Sequence, residues 1–209
     1  MKDRKLVIII YSFLFLMIIS ALFFYIILPS TVSYSGSIYV KSNSETTIYI
    51  PVLLDEKGNT LKMYDSPKIS GDAKTAIIDT EHGKALKISG SGIIGIKLTE
   101  KNIILEEGGQ EIKKKLLDRV TISMSDLNRS SFFNDYAKDT YYTESIGGWV
   151  YSDSDNTAFT FSFNLYRGWD QLLSINTGGN PAVLPLIDLS KGWQTVKFEA
   201  STCAKIDCS

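Results

Sequence analysis

The chain has 209 residues with 22 basic and 23 acidic side chains, a formal charge of −1, so it lacks the basic excess that nucleic-acid and anionic-polymer binders carry. One histidine and two cysteines argue against a thiol- or imidazole-rich zinc module. With 44% hydrophobic residues and no low-complexity run, the composition is that of a folded chain with one ordinary domain and a sizeable core.

Residues 2–5, Lys2-Asp3-Arg4-Lys5, are charged, and Leu6 to Leu28 follows as a run of 23 residues without a charge, its only polar side chains being Tyr11, Ser12, Ser20 and Tyr25. A helix of that length spans roughly 34 Å, enough to cross a hydrocarbon core of about 30 Å. It is apolar all round, which suits a transmembrane helix better than a core helix with a polar stripe. Lys2, Arg4 and Lys5 precede the run, and no charge follows it until Lys41. The positive-inside bias therefore places the N-terminus in the cytoplasm and everything after Pro29 outside, in a single-pass protein of the cell membrane with the bilayer as partner of residues 6–28. A cleaved signal peptide is the competing reading, with Thr31-Val32-Ser33 as the candidate site, although such apolar regions usually run about 7 to 15 residues. No cysteine follows the run, as a lipoprotein needs, and it carries no acidic residue of the kind type IV pilins share.

Beyond residue 28 the chain holds 19 basic and 22 acidic residues, a charge of −3. Residues 29–36, PSTVSYSG, are small and polar and read as a linker. From 37 to 209 the apolar signal has period two. Ile48, Ile50, Val52 and Leu54 form one alternating set, Ile94, Ile96 and Leu98 a second, and Val120, Ile122 and Met124 a third. In the clearest run Phe159, Phe161, Phe163 and Leu165 face one way and Ala158, Thr160, Ser162 and Asn164 the other. Each predicts a half-buried antiparallel strand. Turn-forming stretches at 55–59, 81–83, 152–156 and 176–180 punctuate them. The expected fold is all-β, an antiparallel β-sandwich of jelly-roll type outside the membrane, preceded by one transmembrane helix. Glu111 to Val120 fits either a short helix or a strand extension, and Ser125 to Tyr136 either a short helix or a loop.

Several motifs are weighed for chemistry. His82, the lone histidine, lies in a polar turn and is expected to be exposed there. Gly90-Ser91-Gly92-Ile93-Ile94-Gly95 matches the dinucleotide pattern letter for letter, but a β-branched run follows where a helix would have to start, so it predicts a tight glycine-rich hairpin. Lys113-Lys114-Lys115 reads as a solvated face or a protected edge. Asp153, Asp155 and Asn156 carry oxygens suited to calcium, yet the twelve-residue loop pattern is missing and the segment is also ordinary hairpin-loop material. Paired acids such as Glu106-Glu107 suit glycoside hydrolysis only at a spacing in space that sequence does not supply. No metal, cofactor or catalytic set is expected.

Phe132 to Trp169 holds twelve of the eighteen aromatics that follow residue 28. Most are expected in the core, and Tyr141, Tyr142, Tyr166, Trp169 and Trp193 are the candidates for an exposed ring that stacks on a sugar or a partner, with Tyr166, Trp169 and Trp193 carried forward as ligand-binding residues. Gly147 to Asn156 with the strand that follows it to Tyr166, and then Gly192-Trp193-Gln194-Thr195-Val196-Lys197-Phe198, resembles the later strands of galactose-binding-like jelly rolls found in carbohydrate-binding modules. The resemblance covers about a quarter of the chain and implies a fold; no binding residue is carried over from it.

The functional expectation is a non-catalytic binding or structural module of the cell envelope, with a glycan or an envelope protein as partner and no nucleic acid. A carbohydrate-binding subunit or carbohydrate-active enzyme is the first alternative, and a small subunit of a membrane complex the second. Cys203 and Cys208 at the C-terminus would meet an oxidising compartment and are expected to pair as a small-loop disulfide, the rival being two free thiols on a frayed tail.

Overall fold

The computed structural model describes residues 11–22, 31–55, 57–104, 120–136, 139–167, 170–177 and 185–203. Residues 11–22 are helical with every side chain exposed, a rod about 18 Å long. Among the described residues no helix is long and apolar enough to cross a membrane, and the rest of the 6–28 run lies outside them.

The strands are β1 (Thr31–Pro51), β2 (Leu53–Leu54), β3 (Lys68–Thr80), β4 (Gly83–Ile104), β5 (Thr121–Ile122), β6 (Ser125–Tyr136), β7 (Asp139–Ser152), β8 (Thr157–Arg167), β9 (Asp170–Asn176), β10 (Ile187–Leu189) and β11 (Gly192–Cys203). All pair antiparallel, in a nine-stranded sheet and a two-stranded sheet of β2 and β5. The described domain is thus all-β.

Residues 31–36, whose small polar composition predicts a linker, belong to β1, where Thr31 pairs with Ile104 and Val32 with both Ile103 and Arg167. Serine, threonine and tyrosine are competent on a pleated surface once a partner strand supplies the ladder, and Tyr34 packs 5.5 Å from the Phe163 ring. Ser125 to Tyr136, whose pattern fits a short helix or a loop, is strand β6, paired with β7 from Ser125↔Gly148 to Tyr136↔Asp139.

β1 has β4 along one edge for its full length. On its other edge Val32 to Ser42 pair with β8, whereas Ile48 and Tyr49 pair with the end of β7. β8 pairs in turn with β9, β9 with β11 and β11 with β7, so the ladder β1–β8–β9–β11–β7 returns to β1 as a closed ring. β3 lies outside β4, and β6 and β10 lie on β7 and β8.

The bend that lets β1 serve both parts of the ring is built from the glycine motif. The β1–β4 register shifts between Ser42↔Gly92 and Thr46↔Gly90, and the β3–β4 register shifts between Ser70↔Gly95 and Asp72↔Ser91. Gly92 has φ +75°, and a Cβ on Gly90 would collide with the Asp72 carbonyl oxygen. The motif is a bulge inside β4 rather than a hairpin tip, and no helix starts from it. It offers no helix N-terminus to a phosphate.

On the core face of the sheet the alternating sets meet as their period requires. Ile38, Val40, Ile48 and Ile50 of β1, Ile94, Ile96 and Leu98 of β4, and Phe159, Phe161, Phe163 and Leu165 of β8 are buried. Phe161 meets Phe198 of β11 edge to face at 5.8 Å, and a Cβ on Gly148 would stand 2.6 Å from the Phe198 ring. Each such side chain contributes about 1.5–3 kcal/mol by leaving water. The other face of β8 departs from expectation, because Ala158, Thr160 and Ser162 are buried too. Thr160 Oγ1 is 3.1 Å from Thr177 Oγ1, while the Phe161 amide donates to Thr177 Oγ1 at 2.9 Å. Thr177 thereby satisfies polar groups just past the end of β9. Below the bend Val120, Ile122 and Met124 are buried, although only Thr121 and Ile122 form a strand. Tyr64 is buried there with its hydroxyl accepting from the Leu53 amide at 3.2 Å, and burial pushes its phenol far above the usual tyrosine range.

Candidate functional site

Trp149 and Tyr151 alternate along β7 with buried Gly148, Val150 and Ser152, so their rings stand on the outer surface of the sheet. The register sets Tyr151 between Tyr49 of β1 and Trp193 of β11. Directly opposed residues share a face, and the three rings form a row across three strands. Tyr49 and Tyr151 stack at 4.9 Å, and Tyr151 and Trp193 are 5.3 Å apart. The β3–β4 turn brings in the histidine. His82 lies parallel to Trp149 at 4.4 Å and edge-on to Trp193 at 4.6 Å.

Local chemistry fixes that turn. Thr80 Oγ1 donates to the Gly83 carbonyl at 2.7 Å and accepts from the His82 amide at 3.2 Å, and Gly83 has φ +121°. Glu81 Oε1 is 3.7 Å from His82 Nε2. His82 is therefore not the exposed turn residue expected: its side chain is 25% exposed and lies against two indoles. Stacking on an indole removes the flat faces of the imidazole from water. Tyr49, His82, Trp149, Tyr151 and Trp193 are all half-buried.

Of the expected ligand residues, Trp193 is in this cluster. Tyr166 is half-buried on β8, opposite Gln171 of β9 and Ser33 of β1, and has no ring contact with it. Trp169 lies outside the described residues, as do the side chains of Tyr141 and Tyr142. Tyr49 and Tyr151 were not singled out from sequence, although a large aromatic on the polar side of an alternating strand, as Tyr49 is between Ile48 and Ile50, is the available signal.

Asp153, Asp155 and Asn156 share the β7–β8 loop, where both carboxylates hold backbone. Asp153 Oδ1 accepts from Thr46 Oγ1 at 2.7 Å and from the Thr47 amide at 2.9 Å, which clasps the β1 bulge. Asp155 Oδ1 accepts from the Lys191 amide at 2.7 Å at the entry to β11. The Asn156 amide donates to Ser154 Oγ at 3.3 Å. Asp155 and Asn156 line a shallow polar depression with Lys41, Asn43 and Asp188. Among the described residues no three histidine, cysteine or acidic side chains converge as a metal would require. Glu106-Glu107, Lys113-Lys114-Lys115 and Cys208 lie outside the described residues, and of Cys203 only the backbone is described, as the last residue of β11.

Chemically the cluster offers flat apolar faces, indole and phenol donors, and one imidazole. No hydroxyl or thiol hydrogen-bonds to that imidazole among the described residues. No protein-family model, characterised protein or solved structure matches the chain. The likeness of residues 147–166 and 192–198 to galactose-binding-like jelly rolls therefore rests on strand pattern alone.

Proposed function

We propose that this chain is a membrane-anchored, extracytoplasmic β-domain that acts as a non-catalytic binding module of the cell envelope, with Tyr49, Trp149, Tyr151 and Trp193 as its contact face. The observation that carries this reading is the row of half-buried rings on the outer surface of β1, β7 and β11. Rings that complete a core face inward, whereas these sit opposite the core and keep part of their surface in water, as binding aromatics do. The anchor is supported by the apolar run and by the helix at 11–22, whose exposed Phe13, Phe15 and Leu16 suit lipid. The antiparallel pairing throughout, with β8 and β11 facing each other through Phe161 and Phe198, supports a sandwich of jelly-roll type.

A second reading, a carbohydrate-binding subunit or carbohydrate-active enzyme, has its own support. Trp149, Tyr151 and Trp193 fall inside the two stretches that resemble galactose-binding-like jelly rolls, and flat rings suit the apolar face of a sugar.

The test uses the full chain. It should stay in the membrane through alkaline carbonate washing, and protease outside intact cells should digest the domain. In detergent it should sediment with insoluble envelope material, and Trp193→Ala should weaken that binding about tenfold or more while melting at nearly the wild-type temperature. Release of a soluble product beginning near Ser33, or envelope binding indifferent to Trp193→Ala, would overturn the corresponding half of the reading. A glycan array with the same pair of proteins separates a sugar from a protein partner.

A further inference from the structure

β3 is a long open edge. It pairs with β4 on one side, and among the described residues nothing pairs with it on the other, so the ladder groups along that side are available over much of Lys68–Thr80. Most of its residues are exposed. Natural edges of this length are usually blunted by charges, prolines or bulges, and β3 has charges and a bend at Gly71, whose φ is +93°. The order of those charges is the informative point.

In β3 the odd-numbered residues face the core side of the sheet. Ile69 opposes buried Ile96, Thr75 opposes buried Ile88, and Ile77 opposes buried Leu86, while Asp72 and Lys74 lie on the outer face. A second β3 added antiparallel about a two-fold axis keeps inner residues opposite inner residues only when paired numbers sum to an even value. With Ala73 opposite Ala73, Ile69 meets Ile77 of the second copy, and Asp72 meets its Lys74, twice over by symmetry. Ile69 and Ile77 are each 38% exposed, and Asp72 and Lys74 have no ion-pair partner among the described residues. The adjacent face-preserving alignments lack this match: centring on Lys74 sets lysine against lysine, and centring on Asp72 sets aspartate against aspartate.

We propose that two copies of this chain associate through β3, antiparallel about Ala73, extending the sheet across the two-fold axis. The cross-copy contacts are an isoleucine pair on the core face and an aspartate–lysine pair on the outer face, each occurring twice. This surface is separate from the aromatic row, and the inference does not depend on what that row binds.

The experiment is sedimentation equilibrium of the full chain in density-matched detergent, with each variant checked for a wild-type melting transition. The wild type should be a dimer. Asp72→Lys and Lys74→Asp should each weaken it about tenfold or more, because each sets like charges opposite one another at two places, and the double variant should restore dimerisation. Ala73→Cys, made with Cys203→Ser and Cys208→Ser, should cross-link to itself on mild oxidation, and Lys62→Cys in the same background should not. A monomer across the accessible concentration range would overturn the proposal. So would a dimer that both single reversals leave intact, which would place the contact elsewhere, the helix at 11–22 included. Failure of the double variant to recover, with its melting transition unchanged, would overturn the register.

Discussion

Phe161→Ala is expected to destabilise the domain by about 3–5 kcal/mol, enough to unfold most single domains at physiological temperature. Phe161 is 2% exposed and meets Phe198 edge to face, so truncation removes apolar burial and an aromatic pair and leaves a cavity that flanking ladders on β1 and β9 cannot close. Its neighbour supplies the contrast. Alternation alone puts Thr160 in water, where alanine would cost well under 1 kcal/mol. The structure buries Thr160 and hydrogen-bonds it to Thr177. Thr160→Ala should therefore cost about 1 kcal/mol, the usual net worth of one buried hydrogen bond, because Thr177 keeps its bond from the Phe161 amide. Urea unfolding of the detergent-solubilised chain, followed by tryptophan fluorescence, measures both. Equal costs for the two variants would mean that β8 does not face the core as described.

The two residues also show what the sequence discloses and what it hides. A strand with one face in the core prints its burial as a period of two, which is why Ile48 and Ile50, Ile94 to Leu98 and Phe159 to Leu165 are legible from composition along the chain. Whether the opposite face is wet depends on what crosses it, and Thr177 arrives at Thr160 from beyond β9, a long-range event with no local mark. Edge strands are harder still. β3 is exposed over most of its length and β6 carries no clean alternation, so their existence depends on β4 and β7 offering a ladder rather than on their own pattern. Residues 31–36 hide their strand for the same reason: polar composition suggests a linker until pairing with β4 and β8 is known. The aromatic row is partly legible, since Trp193 stands out in the sequence as a candidate exposed ring. The register that sets it against Tyr151 and Tyr49, and the turn that delivers His82 to Trp149, join residues far apart in the chain.

Gly90→Ala is expected to destabilise the domain by about 2–4 kcal/mol, whereas Gly92→Asn, two residues away, should cost about 1 kcal/mol or less. The two glycines serve one bulge for different reasons. At Gly90 a Cβ would collide with the Asp72 carbonyl oxygen and stand 2.9 Å from the Ala73 Cα. Those are backbone atoms of a paired strand, so relief requires β3 to move away from β4, with loss of ladder bonds near Asp72↔Ser91 and Ala73↔Gly90. Gly92 has open space around its Cβ position, and only its φ of +75° selects against other residues. Asparagine tolerates that left-handed region better than most residues, so Gly92→Asn keeps the bend and gives up only part of glycine's conformational advantage. A motif that cradled a phosphate would instead need both glycines for close approach of a ligand and neither for folding stability. Thermal unfolding of the two variants beside the wild type decides the matter: a large loss at Gly90 with a small one at Gly92 identifies a strand bend, and equal, negligible losses would remove the bulge as the reason for this glycine spacing.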